Sequence, residues 1–194
     1  MSLLVPLYLE GTAGRTPFEA GCLLAAPILA YAVATAVGGR IEDRRGIWPL
    51  APVGFAVLAA ALVGLEAASS HRLVAIVLVC VALVYVGVGL VFAPLKSRDL
   101  GAMPRELVSN ASSIHSTLAQ VISSVASALF VGIMSSDTVR LMAAGVSKAD
   151  AYAAGFSHTL FIEIGIALAA LAGSVVFARI MHGRWVAKRA GEKG

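Results

Sequence analysis

Five long apolar stretches, at about 18–38, 49–68, 73–95, 109–134 and 156–181, constrain this chain more than any other feature. Each approaches or exceeds the roughly 20 residues that a helix needs to cross the hydrocarbon core of a bilayer. Lipid offers no hydrogen bonds to the backbone, so segments of this kind close their own bonds as helices. The polar breaks between them, at 39–48, 69–72, 96–108 and 135–155, are short enough to make sequence neighbours antiparallel. The expected fold is all-α: residues 1–194 form a single polytopic transmembrane helix bundle of about five spans, followed by a cytoplasmic tail over 182–194. Residues 1–9, with the run Leu3 to Leu9, read as the last turns of a preceding helix, so the chain is expected to be a fragment of a larger protein, the alternative being a complete five-helix protein with its N-terminus at the surface.

Composition agrees. Hydrophobic residues make up 59% of the 194 positions and charged residues 13%, far from the balance of a soluble domain. The formal charge of +4 comes without any basic stripe interleaved with aromatics, so the expected partner is the lipid bilayer and not nucleic acid. The start, MSLLVPLYLEGTAGR, lacks the basic segment of a secretory signal. Cys22 and Cys80 both lie in apolar runs and read as small buried hydrophobes. No cofactor is expected and no metal, because His, Cys and carboxylate spacings match no ligand set; neither HExxH nor a Ser, His and Asp group at one depth supports an enzyme.

Lys and Arg are unevenly distributed. Arg40, Arg44, Arg45, Lys96, Arg98, Arg105, Arg184, Lys188, Arg189 and Lys193 fall on one side, and Arg15, Arg72, Arg140 and Lys148 on the other. The positive-inside rule puts the richer side in the cytoplasm, so the expected location is the cell membrane with the C-terminus cytoplasmic and the N-terminus outside.

Chemistry concentrates on the fourth span. At 100° per residue, Ser109, Asn110, Ser112, Ser113, Ser116, Thr117, Gln120, Ser123, Ser124 and Ser127 share less than half of the helix circumference, with Leu118, Val121, Ile122, Val125 and Leu129 opposite. A polar face of that length does not belong against lipid. It lines a water-filled pathway, with Asn110, Ser113, Thr117, Gln120, Ser124 and Ser127 as the candidate substrate contacts, or it packs against other helices through small residues bonded to their own backbone. Glu163 is the one carboxylate well inside a span, the form that a proton carrier takes, or else a group bonded near the interface to a neighbouring helix or His158. His115 falls off the polar face, and Gly165, Ala169, Ala172 and Gly173 make a small-residue packing face on the last span.

The break Gly39-Arg40-Ile41-Glu42-Asp43-Arg44-Arg45-Gly46 puts five charges into one tight connection. It is either a solvated cytoplasmic loop or a gating latch in which Asp43 caps the next helix or pairs with an arginine. Gly39, Arg40, Asp43, Arg44, Arg45 and Gly46 resemble the signature loop of the major facilitator superfamily. Pro6 to Glu10, Thr16 to Gly21, Ala26-Pro27, Gly87-Val88-Gly89, Pro94, Met103-Pro104 and Ala111 to Gln120 follow in the order found in the C-terminal portion of its fourteen-helix drug and proton antiporters. Ala119 stands where those antiporters usually carry an arginine, and Ile47 and Trp48 replace a basic pair after the loop. The resemblance implies part of a secondary transporter that exports small hydrophobic or cationic organic compounds in exchange for protons, is completed by an N-terminal half and is inactive alone. The alternative is a non-transporting membrane scaffold or assembly subunit, but polar residues gathered on one helix favour a pathway.

Overall fold

The structure is a computed structural model that describes residues 1, 3–45, 50–101 and 104–191. It forms six helices: α1 (Leu4–Ala13), α2 (Pro17–Arg45), α3 (Leu50–Ser70), α4 (Val74–Gly101), α5 (Arg105–Ala143) and α6 (Lys148–Gly191). Among the described residues there is no strand, and five of the helices, α2 to α6, are long and apolar enough to cross a membrane. The chain is a polytopic helical bundle.

Local chemistry sets the helix boundaries. Gly14 closes α1 in the left-handed conformation, with φ of 60°, and returns its N–H to the Leu9 carbonyl. Two residues later the Glu19 N–H donates to Thr16 Oγ1 at 3.3 Å, and the Thr16 N–H donates back to the Glu19 carboxylate at 2.9 Å. This reciprocal pair satisfies two orphan donors, and Pro17 at the first helical position needs none. Ser147 and Asp150 form a related pair at α6, where the Asp150 N–H donates to Ser147 Oγ at 3.3 Å and the Ser147 hydroxyl donates to the Asp150 carboxylate at 2.5 Å.

Several helices outrun their apolar stretches. Residues 39–45, read above as part of a connection, are the last turns of α2, and the break at 135–155 narrows to the few residues between Ala143 and Lys148. Arg and Glu are good helix formers, and long polar side chains keep their heads in water while the backbone stays bonded. At 1.5 Å per residue, the 39 residues of α5 extend about 58 Å, well beyond the hydrocarbon core.

Leu4, Val5, Tyr8 and Leu9 of α1 are buried, and the core continues through Leu62 and Leu65 of α3, Val77 and Val81 of α4, Met134 of α5, and Phe156 and Leu160 of α6. The Tyr8 ring lies 4.6 Å from that of Phe156, and its hydroxyl donates to the Ser69 carbonyl at 2.9 Å. Glycines let α2, α3 and α4 come together: a Cβ on Gly87 would lie 2.8 Å from the Leu58 nitrogen, and one on Gly89 2.9 Å from the Tyr31 carbonyl.

Two small-residue expectations are corrected. Cys80 is buried but Cys22 is exposed on α2. Gly165, Ala169, Ala172 and Gly173 are exposed as well, and α6 meets its neighbours through Ala151, Gly155, Phe156, Leu160 and Ala167 on another face.

Candidate functional site: a polar helix face beside three joined cavities

α5 is the least buried of the five spans. It meets α6 near Met134 and Thr138, where a Cβ on Gly155 would come within 2.7 Å of the Met134 carbonyl. Toward its start, Lys96 Nζ of α4 donates to Ser116 Oγ at 3.2 Å and the Phe92 ring lies 6.2 Å from His115. His115 Nε2 is buried there without a partner among the described residues. Between these two contacts α4 and α5 stand apart, and cavities open.

The polar face divides into two edges. On its outward edge, Ser113, Thr117 and Ser124 return their hydroxyls to the carbonyls of Ser109, Ser113 and Gln120, at 3.1, 2.9 and 2.8 Å. Those three groups are satisfied by their own helix. Asn110 is exposed beyond them. On the inward edge, Gln120, Ser123 and Ser127 line a cavity of about 510 Å³ between α2, α4 and α5. Their side chains form no hydrogen bond with a described residue, leaving one amide and two hydroxyls free for whatever fills the space.

Opposite stand three aromatic side chains that sequence reading missed. Tyr31 of α2 and Tyr85 of α4 meet edge to face, with ring centroids 6.3 Å apart and planes at 79°, and Phe92 continues the same wall. No local pattern marks them, because each lies singly in an apolar helix. Only the crossing of α2 over α4 at Gly89 turns them toward one space.

Glu163 borders two further cavities. One, of about 660 Å³, lies between α3, α4, α5 and α6, with walls that include Phe55, Leu62, Phe130 and Ile166. The other, of about 180 Å³, brings Glu163 to Ser123 and Ser127. Through those shared serines the acidic chamber adjoins the aromatic one. His158 does not bond Glu163: its Nδ1 lies 2.6 Å from Asp137 on α5, and Asp137 also holds Arg140 at 3.4 Å.

That pair belongs to a polar clasp at one end of the bundle. Arg72, between α3 and α4, adopts a left-handed φ of 55° and forms an ion pair with Asp150 at the start of α6. The Ser157 hydroxyl donates to Glu66 at 3.0 Å. At the opposite end, Gly39, Arg40, Asp43 and Arg44 lie in the last turns of α2, with Arg40, Asp43 and Arg44 exposed. Asp43 has no ion pair or hydrogen-bond partner among the described residues, and Gly46 and the Arg45 side chain lie outside them. No group of three or more metal-ligating side chains occurs among the described residues.

The chain is similar in sequence to several curated proteins. An uncharacterized MFS-type transporter, YcnB, of Bacillus subtilis is 25% identical over 165 residues, covering 85% of this chain and 34% of the relative. Lincomycin resistance protein LmrB of the same organism is 24% identical over 184 residues, covering 92% and 38%. Its namesake in Listeria monocytogenes is 27% identical over 133 residues, covering 69% and 28%. The chain spans about a third of the length of the curated relatives that it matches. No family profile matches the chain, and no solved structure does. The chain is thus a distant relative of transporters of the major facilitator superfamily.

Proposed function

We propose that this chain forms the C-terminal portion of a major facilitator transporter of the fourteen-helix drug and proton antiporter type, exporting small organic compounds across the cell membrane. The observation that carries the reading is the inward edge of α5, where Gln120, Ser123 and Ser127 face a cavity of about 510 Å³ with no partner of their own. Unpaired polar groups at membrane depth are costly unless they line a pathway. The resistance proteins among the relatives point to drug-like cargo. Glu163 is the proton-carrying group in this reading, since a carboxyl set between an apolar chamber and the serine edge can exchange its proton with the pathway.

The remaining faces suit a half bundle. α2 and α5 carry large exposed apolar side chains, among them Leu29, Val33, Ile122 and Leu129. These faces, with the outward edge Asn110, Ser113, Thr117 and Ser124, are presented to an N-terminal bundle and to lipid. Rocking one bundle against the other about the cavity gives alternating access. The charged turns of α2 at Arg40, Asp43 and Arg44 lie at the cytoplasmic end, where they serve as the gating segment.

Single cysteines test the pathway. In a chain with Cys22→Ser and Cys80→Ala, Gln120→Cys and Ser123→Cys are expected to react with water-soluble maleimide, while Leu118→Cys in lipid stays protected. The reverse pattern removes α5 from the pathway. A scaffold role draws instead on the exposed small-residue face of α6 at Gly165, Ala169 and Gly173, and gains weight if all three cysteines are protected.

A further inference from the structure

Helix α1 is half a span. Its 10 residues extend about 15 Å, against a hydrocarbon core of roughly 30 Å. It ends at Gly14, at the clasp end of the bundle, so its start lies at mid-depth among the other helices. Leu4, Val5, Tyr8 and Leu9 are each at most 2% exposed. The Val5 N–H donates to the Met1 carbonyl at 3.2 Å, so helical bonding runs back to Met1, yet no side chain caps that start. First-turn N–H groups have no acceptor within their own helix, and an apolar interior offers none outside it. Met1 stands in the walls of all three cavities, which therefore meet at this uncapped start. We propose that the chamber of about 660 Å³ between α3, α4, α5 and α6 is the seat of an apolar helix that continues α1 on its N-terminal side.

The seat rests on the reading of the chain as a C-terminal portion and on no choice of cargo. About ten further residues bring α1 to the roughly 20 that cross a bilayer. Their last carbonyls accept the orphan N–H groups of α1. Phe55, Val88, Leu129 and Ile166 reach the chamber from the four surrounding helices, while Ala126 and Ala170 leave room for a backbone to come close. The register follows from the contacts of α1 with α6. The two run antiparallel, with Tyr8 on Phe156 and Gly11 on Tyr152, so Ala167, 11 residues beyond Phe156, is level with the fourth residue ahead of Met1. Filling the apolar chamber leaves Glu163 open toward Ser123 and Ser127, so the seated helix confines its proton to the serine edge.

Disulfide cross-linking tests the seat. The full chain, with Cys22→Ser, Cys80→Ala and Ala167→Cys, is extended ahead of Met1 by about ten alternating Leu and Ala residues, enough to complete the span. Four versions place one cysteine at successive positions of the extension, from the third to the sixth ahead of Met1, about one helical turn. Oxidation is expected to join the two cysteines in one or two of the four versions, because a seated helix presents a single face to α6. The same extension without cysteines is expected to unfold in micelles at least about 4 °C above one of equal length made of Gly and Ser. Ala170→Phe, which fills the chamber from α6, is expected to remove both the gain and the cross-link. Joining at all four positions alike, joining at none, or an unchanged unfolding temperature overturns the proposal. Covalent dimers of Ala167→Cys in place of joining within one chain overturn it too, by seating a second copy. If Gln120→Cys is labelled by maleimide while no position joins, the seat is wrong and the pathway stands; if it is protected while one face joins, the pathway falls and the seat stands.

Discussion

Tyr8 carries a hydroxyl into the apolar core, and the carbonyl it finds there belongs to Ser69, the penultimate residue of α3. Tyr8→Phe keeps the stacking on Phe156 and leaves that carbonyl without the hydroxyl. The expected loss is about 1 kcal/mol, read as a lower unfolding temperature in micelles. Serines on α5 predict the opposite. Ser124 returns its hydroxyl to its own helix at the Gln120 carbonyl, so Ser124→Ala is expected to change stability by less than about 0.5 kcal/mol in the same measurement. A fall as large as that of Tyr8→Phe would mean that Ser124 packs against something beyond α5. The sequence revealed the polar face but not this division of labour. Helical spacing places Ser124 and Ser127 on one arc, whereas the position of α4 decides which of them meets a cavity.

At the scale of helices, glycines decide which faces approach. A Cβ on Gly87 would strike the Leu58 backbone nitrogen at 2.8 Å and the Gly54 carbonyl at 2.9 Å, atoms that move only if α3 and α4 separate. Gly87→Val is therefore expected to cost about 1–3 kcal/mol. At Gly165 an added Cβ meets nothing within 4 Å, and Gly165→Val is expected to be silent. Comparing the two unfolding temperatures checks the pair, and an equally damaging Gly165→Val would show that α6 packs through its small-residue face after all. Periodicity alone cannot separate these cases, since both glycines sit in apolar helices and only tertiary contact distinguishes them. The apolar stretches were legible because they need only length and composition. Their ends were less so, because a charged segment such as 39–45 is equally at home in a solvated connection and in a protruding helix.

For the whole molecule the open choice is orientation. Three helix junctions, at Ala13–Pro17, Ser70–Val74 and Ala143–Lys148, follow from the alternation of six helices and share one end of the bundle. That end carries the Arg72 to Asp150 and Asp137 to His158 pairs, which tie the α3–α4 turn and α5 to the start of α6. Arg40 and Arg44 lie at the other end with Lys96, on the side richer in Lys and Arg, and a basic excess of that kind holds its end in the cytoplasm. The clasp should then face outward. In intact cells expressing a chain with Cys22→Ser and Cys80→Ala, His71→Cys is expected to react with an impermeant maleimide added outside, and Asp43→Cys only after the membrane is opened. Both positions are exposed in the fold, so protection can come only from the bilayer. The reverse pattern would put the clasp in the cytoplasm and reverse the sense in which the cavity opens. The fold would be unchanged, because the packing of α1 against α6 and of α3 against α4 does not depend on which way the bundle faces.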